Sequence, residues 1–271
     1  MDRYDVSSKP KKSLRESIPL TPDVLHALFI RDYIDGDDGR AKYSWGTAEK
    51  GDLITHSHQL PSKVKLGNTD VKDLSSLRHV PDLWLGSRYS INDLTPLRDG
   101  SIVKLVLYRC KAVTDVSALS DINNVSLYCC TGVTDVSPLQ GVAKLSLTCC
   151  TSITDITALG KSKSLRKLSL SNCTGITDIS SLGESNTITY LNLRGCTGIT
   201  DVSALVRCKT LTKLDMPDCL VEDVNVLGDC QSLVELNITG CSRVVDISSL
   251  EGGNIKTLYA TYCRGLQRKH T

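Results

Sequence analysis

Phenylalanine occurs once in this 271-residue chain, at Phe29, and aromatic residues make up only 4% of it, against a hydrophobic content of 40%. The core must therefore be built from Leu, Val, Ile and Ala, a composition suited to stacked regular layers rather than to an aromatic-rich enzyme pocket. Net charge is nearly absent, at +2, which removes any global attraction to nucleic acid or to a membrane surface. Long apolar runs are missing: VLHALFI, at 24–30, falls far short of the roughly 20 residues that cross a bilayer. The opening stretch MDRYDVSSKPKKSLRE has no apolar signal-type segment, and Asp2, Asp5 and Glu16 run against an organellar transit peptide. The closing RGLQRKHT offers no apolar tail for a lipid anchor. The expectation is a soluble intracellular protein, cytoplasmic and without membrane contact.

Catalytic signatures are equally scarce. No P-loop, G-x-S-x-G or H-E-x-x-H occurs. The five histidines, His26, His56, His58, His79 and His270, all lie outside 101–263, so a Cys–His nucleophile would need the chain ends to fold across that region. No C-x-x-C occurs, which leaves no zinc knuckle and no thioredoxin-type dithiol. The acidic run DGDDG at 35–39 fails the EF-hand register and lacks the glutamate that should follow, so it reads as a turn-rich loop. His56 and His58 have no companion ligands at suitable spacing. No enzyme activity, cofactor or metal is expected.

What the chain has is repetition. LSLSNCTGITDISSL at 168–182 returns as LNLRGCTGITDVSAL at 191–205. Aligning on the aspartate of this unit gives Asp73, Asp93, Asp115, Asp135, Asp155, Asp178, Asp201, Asp223 and Asp246, with gaps of 20, 22, 20, 20, 23, 23, 22 and 23 residues. A period in the low twenties marks a solenoid. Each aspartate follows a short β-type segment, from VKL, LWL and LVL through VSL, LSL, LSL, LNL, LDM and LNI, with LYA at 258–260 closing the series. Eight of the twelve cysteines recur once per unit: Cys110, Cys130, Cys150, Cys173, Cys196, Cys219, Cys241 and Cys263.

The unit L-x-L-x-x-C-x-x-[VI]-T-D-[VI]-x-x-L resembles the leucine-rich repeat family over about three quarters of the chain. Its second half is similar to the short repeats of SDS22-like and internalin-like proteins. The cysteine is similar to that of trypanosomatid leucine-rich proteins. The resemblance implies an α/β solenoid with a parallel sheet on the concave face and turns, 3-10 pieces and short helices on the convex face. In L-x-L the leucines point inward and the residue between them outward. Stacked units share one apolar spine that none could bury alone. The cysteine position asks for a small side chain that tolerates burial and carries a weak S–H donor. The aspartate is placed to accept N–H bonds at the convex turn, as an N-cap does, and Pro96 and Pro138 fall where a missing N–H matters little. The 20-residue units leave room only for turns or 3-10 pieces, while one-turn helices are expected in the longer C-terminal units.

Free thiols are expected, because parallel Cβ vectors suit a disulfide ladder poorly. Cys129 and Cys149 stand one residue before the ladder in successive units; tight packing or a redox or metal role are both open for that pair. The expected organisation is a flexible basic tail at 1–20, a helical cap and polar loop at 21–62, the solenoid at 63–264 and a basic tail at 265–271. The cap begins at Thr21 and Pro22. The outward rows, where repetition stops, carry the candidate partner-binding residues Trp84, Lys104, Val106, Tyr108, Tyr128, Lys144, Lys167, Tyr190, Arg194, Lys213 and Tyr259. Tyr108 and Tyr128 are expected side by side, and the cations favour an acidic partner surface. The family resemblance implies a non-enzymatic protein–protein interaction scaffold, part of a hetero-complex in a cytoskeletal, flagellar or ribonucleoprotein assembly. RNA binding through the lysines and tyrosines is the alternative, and a poor fit without a dense basic patch.

Overall fold

The computed structural model describes residues 62–67, 73–86 and 91–267. The expected N-terminal tail, the helix from Thr21 and the polar loop with its histidines fall outside these residues except for Ser62, while of the expected C-terminal tail residues 265–267 are described, within a one-turn helix.

Ten strands pair in parallel and in chain order. They are β1 (Lys63–Gly67), β2 (Asp82–Gly86), β3 (Lys104–Tyr108), β4 (Asn124–Tyr128), β5 (Lys144–Ser146), β6 (Lys167–Ser169), β7 (Tyr190–Asn192), β8 (Lys213–Asp215), β9 (Glu235–Asn237) and β10 (Thr257–Tyr259). Alternation along each strand sends two residues per coil inward. Leu105 pairs in register with Val125, Val125 with Leu145 and Leu145 with Leu168. The second inward row, from Leu107, Leu127 and Leu147 through Leu193 to Met216 and Ile238, is wholly buried. Both rows belong to one continuous apolar cluster with the valines, isoleucines and leucines of the convex side. Each fully buried Leu contributes roughly 1.5–3 kcal/mol, but only with a coil on either side, so stability is a property of the stack. On β10 all three residues are exposed.

The aspartates work somewhat differently from an N-cap. Oδ1 of each accepts the N–H of the residue two further on, at 2.7 to 3.1 Å in all nine coils. The N-cap position itself is taken by the following apolar residue, such as Leu74 or Val116, without a side-chain cap. This is an Asx turn one residue ahead of the convex segment. The convex segments are 3-10 turns in most coils. They hold three residues at Thr95–Leu97 and Ser117–Leu119, and five at Ser137–Gly141, Ser180–Glu184, Ser203–Arg207 and Asn225–Asp229. Among the described residues, one-turn α-helices form at α1 (Thr157–Gly160) and α2 (Arg264–Gln267). Of the one-turn helices expected in the longer C-terminal units, those at Thr157–Gly160 and Arg264–Gln267 form, while Ser180–Glu184, Ser203–Arg207 and Asn225–Asp229 are 3-10 turns instead.

Between strand and cysteine the chain turns sharply. The residue before each ladder cysteine has positive φ: Arg109, Cys129, Cys149, Asn172, Gly195, Asp218, Gly240 and Tyr262, between 54° and 75°. Only two of the eight are glycine. The N–H of this residue bonds a carbonyl of the next coil, as Gly195 does with Pro217 at 2.9 Å. The cysteine that follows turns inward and donates its S–H back to the preceding coil. Cys196 reaches the Leu170 carbonyl at 2.9 Å, Cys219 that of Leu193 at 3.0 Å and Cys241 that of Met216 at 3.1 Å. All twelve cysteines are free, ten of them buried. A second, shorter series at the return to the strand, Ser162, Ser185, Cys208 and Cys230, was not read from the sequence. Cys208 donates to the Ser185 carbonyl at 3.2 Å, and Ser185 Oγ accepts the Ile188 N–H at 3.2 Å.

Candidate functional site

The sheet aligns the outward residues into rows. One row runs Asp82, Lys104, Asn124, Lys144, Lys167, Tyr190, Lys213, Glu235, Thr257, and the next runs Trp84, Val106, Ser126, Ser146, Ser169, Asn192, Asp215, Asn237, Tyr259. The expected residues of these rows sit where a strand presents them, whereas Arg194 lies in the turn after β7, and one row residue differs in exposure. Val106 is only 9% exposed, because its side chain lies between those of Trp84 and Ser126 in the row and is covered there.

At the β2–β4 end the face is aromatic. Trp84 and Tyr108 stack, with ring centroids 5.9 Å apart and planes 22° from parallel. Tyr128 stands beside Tyr108 in register, as expected from the sequence, but the stacked partner of Tyr108 is Trp84. On the same ring lies the guanidinium of Arg109, 5.1 Å from its centroid. Arg109 was missed by the row reading, since it occupies the positive-φ turn rather than a strand. Tyr108 keeps 37% of its surface exposed.

The middle of the face is different. Lys144 and Lys167 are register partners and form no ion pair among the described residues. Beside Lys144, Asn124 has a buried Oδ1 with no hydrogen-bond partner among the described residues. Hydroxyls there pair among themselves: Ser146 with Thr148 at 3.1 Å and Ser169 with Ser171 at 3.2 Å.

Towards β7–β9 the polar groups satisfy one another. Tyr190 donates its hydroxyl to Asp215 Oδ2 at 2.8 Å. Lys213 bonds Glu235 Oε1 at 2.7 Å, lies 3.8 Å from Asp215 and sits 5.8 Å above the Tyr190 ring. Burial first, and then the bond to Asp215, push the Tyr190 hydroxyl up to about 12. The bond to Glu235 likewise raises Lys213. Arg194 lies 3.6 Å from Asp218, and Lys104 and Lys63 flank Asp82 at 3.9 and 3.6 Å. Of the five cations expected to attract an acidic surface, three are already paired. Tyr259 is 49% exposed on β10, and Tyr262, in the turn that follows, is 79% exposed.

Among the described residues no helix is long and apolar enough to cross a membrane, and no cluster of three or more His, Cys, Asp or Glu has metal-binding geometry. A family model described as Leucine Rich repeat matches residues 184–205, about one coil. An internalin (InlF) from Listeria monocytogenes aligns at 21% identity and a TM-score of 0.51, over 73% of this chain and 66% of the internalin. The leucine-rich repeat domain of the type III effector XopL aligns at 13% identity and a TM-score of 0.50, over 70% of this chain and 72% of that domain. The functional domain of InlJ from Listeria monocytogenes, which includes a cysteine ladder, aligns at 18% identity over 75% of this chain and 54% of that one. Its TM-score of 0.35 is too low to argue from. No curated protein sequence matches. With parallel strands in strict chain order, a leucine spine and a period in the low twenties, the chain has the leucine-rich-repeat solenoid fold.

Proposed function

We propose that this protein is a non-enzymatic scaffold that receives an acidic protein surface on the β2–β6 half of its concave sheet. The stacked Trp84–Tyr108 pair, continued by Tyr128 and then by Lys144 and Lys167, carries the reading. Rigid aromatic groups at the centre of a docking face provide most of the binding free energy in protein interfaces, and two in-register cations that form no ion pair among the described residues favour carboxylates. The β7–β9 half has already matched its charges internally and has less to offer a partner. The leucine-rich-repeat fold is typical of protein-binding scaffolds. The protein then serves as one subunit of a cytoplasmic hetero-complex, in a cytoskeletal or flagellar assembly or a ribonucleoprotein. RNA itself fits less well, since two unpaired lysines fall short of a basic stripe.

The test is affinity purification from the native cell with Tyr108→Ala/Tyr128→Ala and Lys144→Glu/Lys167→Glu variants. Each pair should reduce partner recovery at least tenfold with nearly unchanged thermal midpoints. Full recovery with both pairs would remove the concave β2–β6 half as the docking surface. Loss of an RNA component alone would move the reading to the nucleic-acid alternative.

A further inference from the structure

Ten of the twelve thiols are buried and donate to main-chain carbonyls. Cys129 and Cys149 are the exceptions. They are half-buried, and neither donates to a carbonyl among the described residues. They occupy equivalent places in successive coils, with φ of 54° and 57°. Each also makes the same inter-coil bond: the Cys129 N–H meets the Thr148 carbonyl at 2.9 Å and the Cys149 N–H meets that of Ser171 at 2.8 Å. Equal conformation and equal pairing set their Cα atoms at sheet spacing, about 5 Å, which lies inside the span of a disulfide. Burial first and then the neighbouring Cys129 raise the Cys149 thiol, and the Asn172 side chain of the next coil acts in the opposite sense. On the other side Arg109 occupies the same turn position one coil earlier, its N–H on the Tyr128 carbonyl at 2.7 Å.

We propose that Cys129 and Cys149 form a two-cysteine redox site on the rim of the concave face, which a hydroperoxide closes to a disulfide. Cys129, whose turn position follows that of Arg109 in the stack, attacks as thiolate. The peroxide O–O bond breaks, its terminal oxygen becomes the hydroxyl of a Cys129 sulfenic acid, and the alkoxide takes up a proton to leave as the alcohol. Cys149 sulfur then attacks the Cys129 sulfur. The S–S bond forms, the S–O bond breaks, and the departing hydroxide takes the Cys149 thiol proton as water. In sum two thiols are oxidised by two electrons and one hydroperoxide is reduced to alcohol and water. Nearly parallel Cβ vectors strain the closed form, which makes it readily reducible and the site reversible. The link would tie β4 to the coil of β5 beside Tyr128, within the docking half described above, though the chemistry stands whether or not a partner binds there.

The test uses the full chain, reduced, treated with tert-butyl hydroperoxide, capped with an alkylating agent and digested without reductant. Trypsin separates 112–144, holding Cys129 and Cys130, from 145–161, holding Cys149 and Cys150. Mass spectrometry should find these two peptides joined with the loss of two hydrogens, and dithiothreitol should part them. Cys129→Ser and Cys149→Ser should each abolish the link, while Cys130→Ser and Cys150→Ser should retain it. In the unmutated chain, brief alkylation before peroxide should label Cys129 and Cys149 first and block the link. A link that survives Cys129→Ser/Cys149→Ser, over-oxidation of Cys129 without a link, or labelling spread evenly along the ladder would overturn the proposal.

Discussion

Replacing Cys196 tests whether the ladder sulfurs act as hydrogen-bond donors or only as filler. Cys196 lies mid-array, is fully buried and donates to the Leu170 carbonyl at 2.9 Å. That carbonyl also accepts the Cys173 N–H at 3.0 Å, so losing the thiol leaves it with one partner rather than none. Cys196→Ala removes burial comparable to a methylene, about 0.8 kcal/mol. The cavity adds about 0.5 kcal/mol, and the lost bond, weak and shared, roughly 0.5 kcal/mol. The expected destabilisation is therefore about 2 kcal/mol. Cys196→Ser keeps a donor in nearly the same place, and its stronger bond offsets most of the added desolvation, so about 1 kcal/mol is expected. Filler alone gives the reverse order, because a buried hydroxyl would then gain nothing against its desolvation. Urea unfolding followed by circular dichroism decides, provided the m-value is unchanged, since a repeat array can lose cooperativity. A serine variant less stable than the alanine variant refutes the donor reasoning.

Two further outcomes follow from the same frame. Asp73, Asp178 and Asp201 are held below the usual carboxylate range, first of all by the main-chain N–H groups they accept. A folded value below the unfolded one stabilises above the unfolded value near 3.9 and is lost as pH falls, so thermal midpoints should drop below about pH 4. Burial pushes Cys150 and Cys196 up to about 11 and Cys219 and Cys241 to about 12. That contribution is complete below the ordinary thiol value and is lost as pH rises towards 11–12. Midpoints should thus decline above about pH 8.5, and a flat profile to pH 11 would contradict thiol burial. Gly195→Ala should cost about 1–2 kcal/mol in urea, the cost of the left-handed conformation at φ +65°; the end of the Asn172 side chain that its Cβ would meet can turn away, and an unchanged midpoint would refute the prediction.

The frame was legible because each position solves the same backbone problem once per coil. L-x-L fixed the inward rows, and the aspartate spacing fixed the register of the first nine strands, with LYA at 258–260 marking the tenth. What escaped is what does not repeat chemically. The positive-φ position holds Arg, Cys, Asn, Gly, Asp and Tyr in different coils, so only the main-chain bond to the next coil imposes it, and no residue pattern announces it. The series Ser162, Ser185, Cys208 and Cys230 escaped for the same reason: hydroxyl and thiol serve one role there with two residue types. Helix in the longer coils was over-read because a period of 22 or 23 residues looks roomy until the strand, two turns and Asx bond have taken their share.

The face was legible as positions but not as chemistry, and the reason is geometric. In a solenoid a side chain's neighbours come from one period away, so the charge a partner meets depends on the row and not on the residue. Lys213 looks like Lys144 within its own strand, KLD against KLS. Its neighbours are Glu235 at 2.7 Å and Asp215 at 3.8 Å, whereas Lys144 and Lys167 face each other. Two like charges at about 5 Å repel by under about 1 kcal/mol in water, and that repulsion persists until a carboxylate lies between them. Converting Lys167→Glu would supply that carboxylate from within, pairing Lys144 much as Glu235 pairs Lys213. The solenoid should then become slightly more stable while its hold on an acidic surface falls, and a variant that gained stability and kept its partner would show that the unpaired lysines are not what the partner meets.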